Sequence, residues 1–257
     1  MRILAVRLIF LDAVYYAREG LSAAVTPTVL HGTALNGAFS AATNELVARQ
    51  SFLTFGQDGG ANVPHYVDSR FSPKFYATPA RSIGSVRYRA EVAKGDSEGF
   101  VEINLRGPTR ELKRIDSRVQ PLKYRKLYFL APECEFLGFL IVVDESWRPP
   151  ELIRLGSFRS PVRAEYVEAV AWKPIATRAI ADHPVDPLIS DVARGVIVNM
   201  LPYGVVENAA ATPAVEIKFR KPCKGLGKST CILAWPTGYA MPGALERIRG
   251  RDATVFM

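Results

Sequence analysis

At 257 residues, 48% hydrophobic and 23% charged, the sequence has the size and composition of one large globular domain or two small ones, which excludes disorder, collagen and coiled coil as its main state. Its apolar stretches are broken early by Arg7 and Asp12, and the run Phe136 to Val143 falls far short of the roughly 20 residues that cross a bilayer as a helix. A net charge of +8, from 33 Lys and Arg against 25 Asp and Glu, points to a polyanionic partner.

Residues 2–10 read as a largely buried strand with Arg7 on one alternating face. Met1 to Ala17 only faintly imitates a signal peptide, because Arg7 interrupts the apolar region and no small-x-small site follows. A cytoplasmic chain with no membrane association is therefore expected. Val14 to Gly20 is a connection, and Thr26-Pro27-Thr28 marks entry to a helix over Val29 to Arg49. Along it Leu30, Ala34, Leu35, Ala38, Phe39, Ala42 and Leu46 recur at three and four. Phe55 to Asn62 reads as a loop. Strands are expected at Lys74–Thr78, Ser85–Val92 and Phe100–Arg106, the last two joined as a hairpin by the turn residues Lys94-Gly95-Asp96 and Gly99. Arg87 and Arg89 share one face of the first hairpin strand.

Gly107 to Lys123 is polar and basic, and suits an extended arm. Lys126–Ala131 and Glu135–Val143 read as buried strands separated by Pro132. Pro149-Pro150 opens a short predicted helix, Glu151 to Leu155, which Gly156 would cap in a left-handed conformation. Arg163–Val170 is strand-like. Further strands fall near Val196–Met200, Val215–Arg220 and Cys231–Trp235. The order suits an α+β, ferredoxin-like unit over residues 1–172, with an irregular β-rich portion over 173–257 packed on it.

Several motifs invite chemistry that their context does not support. Lys224 to Thr230 imitates a phosphate loop, but Pro222 stands where the first glycine belongs and only 27 residues follow. It is expected at a basic hairpin tip between Val215–Arg220 and Cys231–Trp235. Cys134, Cys223 and Cys231 form neither a disulfide framework nor a zinc spacing. No Gly-x-Ser-x-Gly elbow occurs. Asp182-His183-Pro184-Val185-Asp186-Pro187 is stiffened by proline and reads as a structural turn. No metal or cofactor is expected.

Charge is more informative. Between Arg70 and Lys126, 14 basic residues stand against six acidic ones, a net +8 equal to that of the whole chain. In Ile153 to Arg163, a glycine-bounded turn presents Arg159, Ser160 and Arg163 around Gly156. Backbone N–H groups with guanidinium forks suit a phosphate oxygen. His31, near the start of the first helix, reads either as a packing histidine or as a group facing RNA, where it could act as a base on a ribose hydroxyl.

This stretch, following an N-terminal strand and helix, resembles the glycine-rich loop of the RAMP superfamily of CRISPR-associated proteins. Val14–Gly20, Val29–Leu35, Tyr124–Pro132, Ile153–Arg163 and His183–Pro187 resemble, in order, the small RAMP subunit of subtype I-D Cascade complexes. That family is the subtype I-D counterpart of the fifth Cas family. The resemblance implies an RRM-like domain that binds the 5′ repeat-derived tag of CRISPR RNA and contacts the backbone RAMP subunit and the large subunit. It also implies support of invader DNA recognition, with target DNA near the protospacer-adjacent motif a further expected partner.

Carried onto this chain, the phosphate-gripping roles fall on Gly156, Arg159, Ser160 and Arg163, with Arg154 beside them and Arg18 and His31 near the same face. The basic stretch 106–126 would be a thumb-like insertion along the RNA, through Arg110, Lys113, Arg114, Arg118, Arg125 and Lys126. The loop departs from many RAMP proteins in holding one glycine, with Pro161 stiffening it. Tyr15, Tyr16, Tyr88 and Tyr124 are candidate stacking platforms. About five phosphate contacts would give a slope of log affinity against log salt of about −3.5. Such binding needs no catalyst. Two other readings stay open: some relatives cleave repeat RNA without metal, which His31 would serve, and a protein-only assembly role would use the basic surface on an acidic partner.

Overall fold

A computed structural model describes residues 1–16, 23–44, 72, 74–95, 101–103, 112–114, 123–198, 204–223, 225–248 and 251–254. The N-terminal elements are β1 (Arg2–Phe10), β2 (Ala23–Val25), β3 (Val29–Leu30), α1 (Gly32–Ala42), β4 (Phe75–Ala77) and β5 (Ala80–Ile83). The middle of the chain holds β6 (Tyr88–Gly95), β7 (Val101–Ile103), β8 (Leu112–Arg114), β9 (Lys123–Leu130), β10 (Glu135–Val142), β11 (Leu152–Leu155) and β12 (Ser160–Glu168). The last part holds β13 (Ala171–Ile175), β14 (Ala179–Ile180), β15 (Asp191–Val198), β16 (Val205–Thr212), β17 (Ala214–Lys218), β18 (Thr230–Ala234), β19 (Leu245–Ile248) and β20 (Arg251–Thr254). The fold is mostly antiparallel β.

A central sheet runs β11-β12-β1-β10-β5-β3, with β4 also on β10. In it β1 lies between two antiparallel neighbours, Val6 standing opposite Gly138 on one side and Tyr166 on the other. Both β1 and β10 are apolar at nearly every position because both faces of the sheet are covered. On one face Leu4, Val6, Leu8, Phe10, Phe136 and Leu140 pack with Leu35 and Phe39 of α1. On the other, Ile3, Ala5, Leu137, Phe139 and Ile141 pack with Trp172, Val215, Ile217, Phe219 and Trp235 of the C-terminal part. That part contributes a sheet ordered β18-β17-β13-β19-β20 and a smaller one ordered β14-β16-β15.

Arg7, the exception in β1, is matched by carboxylates from both neighbouring strands. Its Nε donates to Glu135 at 2.9 Å and its Nη1 to Glu165 at 2.8 Å. Helix α1 is tied to the sheet by a buried amide. Asn36 Nδ2 donates to the carbonyls of Gly32 and Ala77, and its Oδ1 accepts the Ala77 N–H at 2.8 Å. The side chain thus supplies β4 with the partner a further strand would have given.

Four local expectations are corrected. The first helix starts at Gly32, not Val29, because Val29 and Leu30 pair with Arg81 and Ala80 of β5, a strand not foreseen. It ends at Ala42, with Asn44 in the left-handed region, and positions 45–49 lie outside the described residues. The predicted helix Glu151 to Leu155 is strand β11, its residues alternating between exposed and buried as a pleated strand demands. The expected hairpin of 85–92 with 100–106 is not found among the described residues: β6 pairs with β9 from Tyr88–Leu130 to Gly95–Lys123, and β7 pairs with β8 inside that interval. With β11 a strand, only one helix remains among the described residues, so the second helix of a ferredoxin-like unit is not found there. No described helix is long and apolar enough to cross a membrane.

Candidate nucleic-acid interface

Strands β11 and β12 pair as a hairpin, Leu155 opposite Ser160, and residues 156–159 form its turn. Gly156 has φ +76° and Arg159 φ +54°, so the turn opens and closes in left-handed conformations. The Arg159 N–H donates to the Gly156 carbonyl at 3.1 Å, and the Ser157 N–H to the Tyr15 carbonyl at 2.8 Å. A Cβ at position 156 would stand 2.6 Å from that Tyr15 oxygen, so only glycine fits. Ser160 is buried, its hydroxyl donating to the Ala13 carbonyl at 2.6 Å.

These bonds change the roles expected from sequence. The Ser157 and Arg159 N–H groups are engaged within the protein, and Gly156 serves close approach to Tyr15. The Ser160 hydroxyl points inward because Ser160, Val162 and Ala164 form the buried edge of β12. Two cations face outward at the turn and its first strand. Arg154 and Arg159 are both exposed, and Arg154 Nη1 donates to the Arg159 carbonyl at 3.0 Å, bracing the turn. Arg163 is also exposed, on the face of the β11–β12 hairpin that carries Arg154, whose partner Pro161 stands two residues before it, and it pairs with Glu165 at 3.1 Å.

His31 occupies the cap position before α1 but makes no side-chain cap. It is 5% exposed, and burial lowers its pKa to about 4, so it is neutral at pH 7. Lys126 is exposed on β9, opposite Val92. Lys113, Arg114 and Arg125 lie in β8 and β9, where only the strand pairing is described. Arg18, Arg110 and Arg118 lie outside the described residues, as does most of the 106–126 stretch.

Of the tyrosines, Tyr16 is a packing residue. Its hydroxyl lies 2.8 and 2.9 Å from the Pro27 and Val29 carbonyls, and burial raises its pKa. The Tyr88 hydroxyl donates to the Thr26 carbonyl at 2.9 Å. Tyr124 pairs with Lys94 in the β9–β6 ladder, and its side chain is not described. Tyr15 joins an aromatic group at the turn itself, with ring centroids 4.9 Å from Phe129 and 6.1 Å from Phe158. Sequence reasoning passed over both phenylalanines. The available signal was an aromatic residue in a turn one position before an arginine.

The remaining motifs are structural. The β17–β18 hairpin forms as expected, with Gly225, Gly227 and Lys228 exposed at its tip; Gly225 lies against Ile83, which a Cβ there would meet at 2.5 Å, and Lys228 pairs with Asp182 at 2.6 Å. Asp182 also accepts the Ile232 N–H. His183 is buried, its Nε2 accepting the Ala234 N–H at 3.1 Å while Nδ1 lies 2.7 Å from the Pro184 carbonyl, which fixes the proton on Nδ1. No cluster of His, Cys, Asp and Glu among the described residues could hold a metal ion.

A model of the family described as type I-D CRISPR-associated protein Cas5/Csc1 matches residues 1–226. Among solved structures, the chain is similar to one in the type III-B Cmr-beta complex bound to cognate target RNA and AMPPnP. Identity is 8% and the TM-score 0.41, over 80% of this chain and 85% of that one. It is also similar to a chain of a type IV-B CRISPR complex, with 8% identity and a TM-score of 0.33 over 64% and 90% of the two chains. No curated protein matches.

Proposed function

The chain belongs to the type I-D CRISPR-associated Cas5/Csc1 family, and from that premise we propose that it is a non-catalytic CRISPR RNA-binding subunit of a type I-D Cascade complex. It grips the 5′ repeat-derived tag and links the backbone RAMP subunit to the large subunit, near where target DNA is recognised. The observation that carries this reading is the β11–β12 turn. Two exposed guanidinium groups, Arg154 and Arg159, stand there on a backbone pinned to Tyr15, within the stretch the family resemblance assigns to RNA. Two guanidinium groups on a braced backbone are suited to phosphate, since Arg offers planar forks at little entropic cost.

The non-catalytic part is supported by His31, whose ring is 5% exposed and so buried away from any ribose hydroxyl at the surface. The ferredoxin-like relation belongs to the same proposal. The order β12-β1-β10-β5, all antiparallel, with α1 packed on one face, supports it.

The test is titration of fluorescent repeat RNA and a length-matched scramble at two salt concentrations with chelator present, each sample run on native and denaturing gels. Salt-sensitive binding that prefers the repeat, with intact RNA, is expected. The Arg154→Ala/Arg159→Ala double variant should bind at least tenfold more weakly. Shortened RNA would overturn the non-catalytic reading, and equal binding by wild type and double variant would overturn the role of the turn.

A further inference from the structure

Phe158 is the most exposed large apolar side chain among the described residues, at 64%. A ring so placed gains little from folding, because most of its surface still meets water. Yet it is held firmly. Its two neighbours are pinned through backbone bonds, Ser157 to Tyr15 and Arg159 to Gly156. Beneath it lies Phe129, 6% exposed, whose ring is 5.7 Å away and inclined by only 24°. Phe158 is thus the outer member of an offset stack whose inner member belongs to the core, with Tyr15 at the side. Arg159, the next residue, is held at φ +54°, a conformation that costs a side-chain-bearing residue energy.

A nucleotide joins a flat apolar base to an anionic phosphate. The turn offers the counterpart of both, a flat π surface beside two exposed guanidinium groups. An aliphatic or acidic peptide would match only one half. Building on RNA binding at this turn, we infer that Phe158, backed by Phe129 and Tyr15, is a stacking platform for one unpaired base of single-stranded RNA. Arg159 holds an adjacent phosphate. Because every base has a π face, this contact fixes the position of the strand without selecting its sequence. The protein would then read the 5′ segment partly by register: one base is splayed onto the ring and its neighbours are set relative to it.

The experiment uses the full chain and repeat RNAs carrying 2-aminopurine at single positions along the 5′ segment. Fluorescence at one position is expected to be quenched on binding to the wild type. Phe158→Ala should lose that quenching and bind about tenfold more weakly, within the range of single-base stacking. Phe158→Trp should retain both. Phe158→Leu should behave like Ala, since it keeps apolar bulk but has no π face. The slope of log affinity against log salt should stay unchanged in Phe158→Ala, because no phosphate contact is lost. If the wild type binds RNA but Phe158→Ala matches it in affinity and no position is quenched, the platform is refuted while RNA binding stands. If the wild type binds no RNA, the underlying reading fails first. If Phe158→Ala loses association with another Cascade subunit while binding RNA normally, the ring is a protein contact and the inference is overturned.

Discussion

Arg159→Gly should move stability and RNA affinity in opposite directions. With φ at +54°, the arginine occupies a region that costs an L-residue roughly 1–2 kcal/mol and glycine almost nothing. Glycine's greater freedom in the unfolded chain takes back about 0.5–1 kcal/mol. The bonds that close the turn use backbone atoms of residue 159, the N–H to Gly156 and the carbonyl to Arg154, and both survive the change. The net expectation is a gain of about 0.5–1 kcal/mol, or a Tm rise of about 2 °C for a chain of this size. Binding should weaken about tenfold at low salt, as befits one lost charge-assisted contact. The slope of log affinity against log salt should shrink by about 0.7, the share of one phosphate in single-stranded RNA. Differential scanning calorimetry and fluorescence anisotropy across a salt series read both quantities. A variant that is less stable would refute the strain assigned to the turn. An unchanged slope would refute the phosphate contact.

Two further predictions concern the scaffold. Asn36→Ala leaves the buried Ala77 N–H and carbonyl without their partner and should cost about 2–4 kcal/mol in urea denaturation; a loss under 1 kcal/mol would show that the amide does not stitch α1 to β4. His31 and His183, each lowered to a pKa of about 4 by burial, stay neutral in the folded chain while the unfolded chain takes up protons below about pH 6.5. Stability should therefore be full above that pH and fall between pH 6.5 and 5 by about 1.5 kcal/mol for each histidine, above the range where carboxylates dominate. A flat urea midpoint across that window would contradict the burial of both rings.

What could be read from sequence follows physical lines. β1 and β10 were legible because strands covered on both faces are apolar at nearly every position, and β17 with β18 because a glycine-rich turn separates two short apolar runs. β11 was not, since a four-residue run with buried Ile153 and Leu155 fits a helical turn as well as a pleat, and the preceding prolines favoured the helix. Turn residues near Lys94 announced a chain reversal but not its partner. β6 finds β9, close to 30 residues on, because pairing across such a distance leaves no local signal. Asn36 was invisible for the same reason: the backbone groups it satisfies lie 41 residues away.

The site was partly legible. Composition and the Ile153–Arg163 stretch led to the right turn, and Arg154 and Arg159 are exposed there. Strand alternation then separates residues that stand together in sequence, sending Ser160 into the core while Arg163 stays exposed on the face that carries Arg154. Phe158 escaped notice because hydrophobic pattern alone marks an aromatic residue as core, and only the three-dimensional turn shows that this ring stays in water.

The most direct measurement of the central claim places 4-thiouridine singly along a CRISPR RNA, assembles it with the full type I-D complex, and maps ultraviolet crosslinks to peptides of this subunit. The account predicts crosslinks from the 5′ repeat-derived tag to peptides containing Arg154 to Arg159, lost when both arginines are alanine. Crosslinks confined to the spacer or the 3′ end, or none to this chain at all, would contradict it.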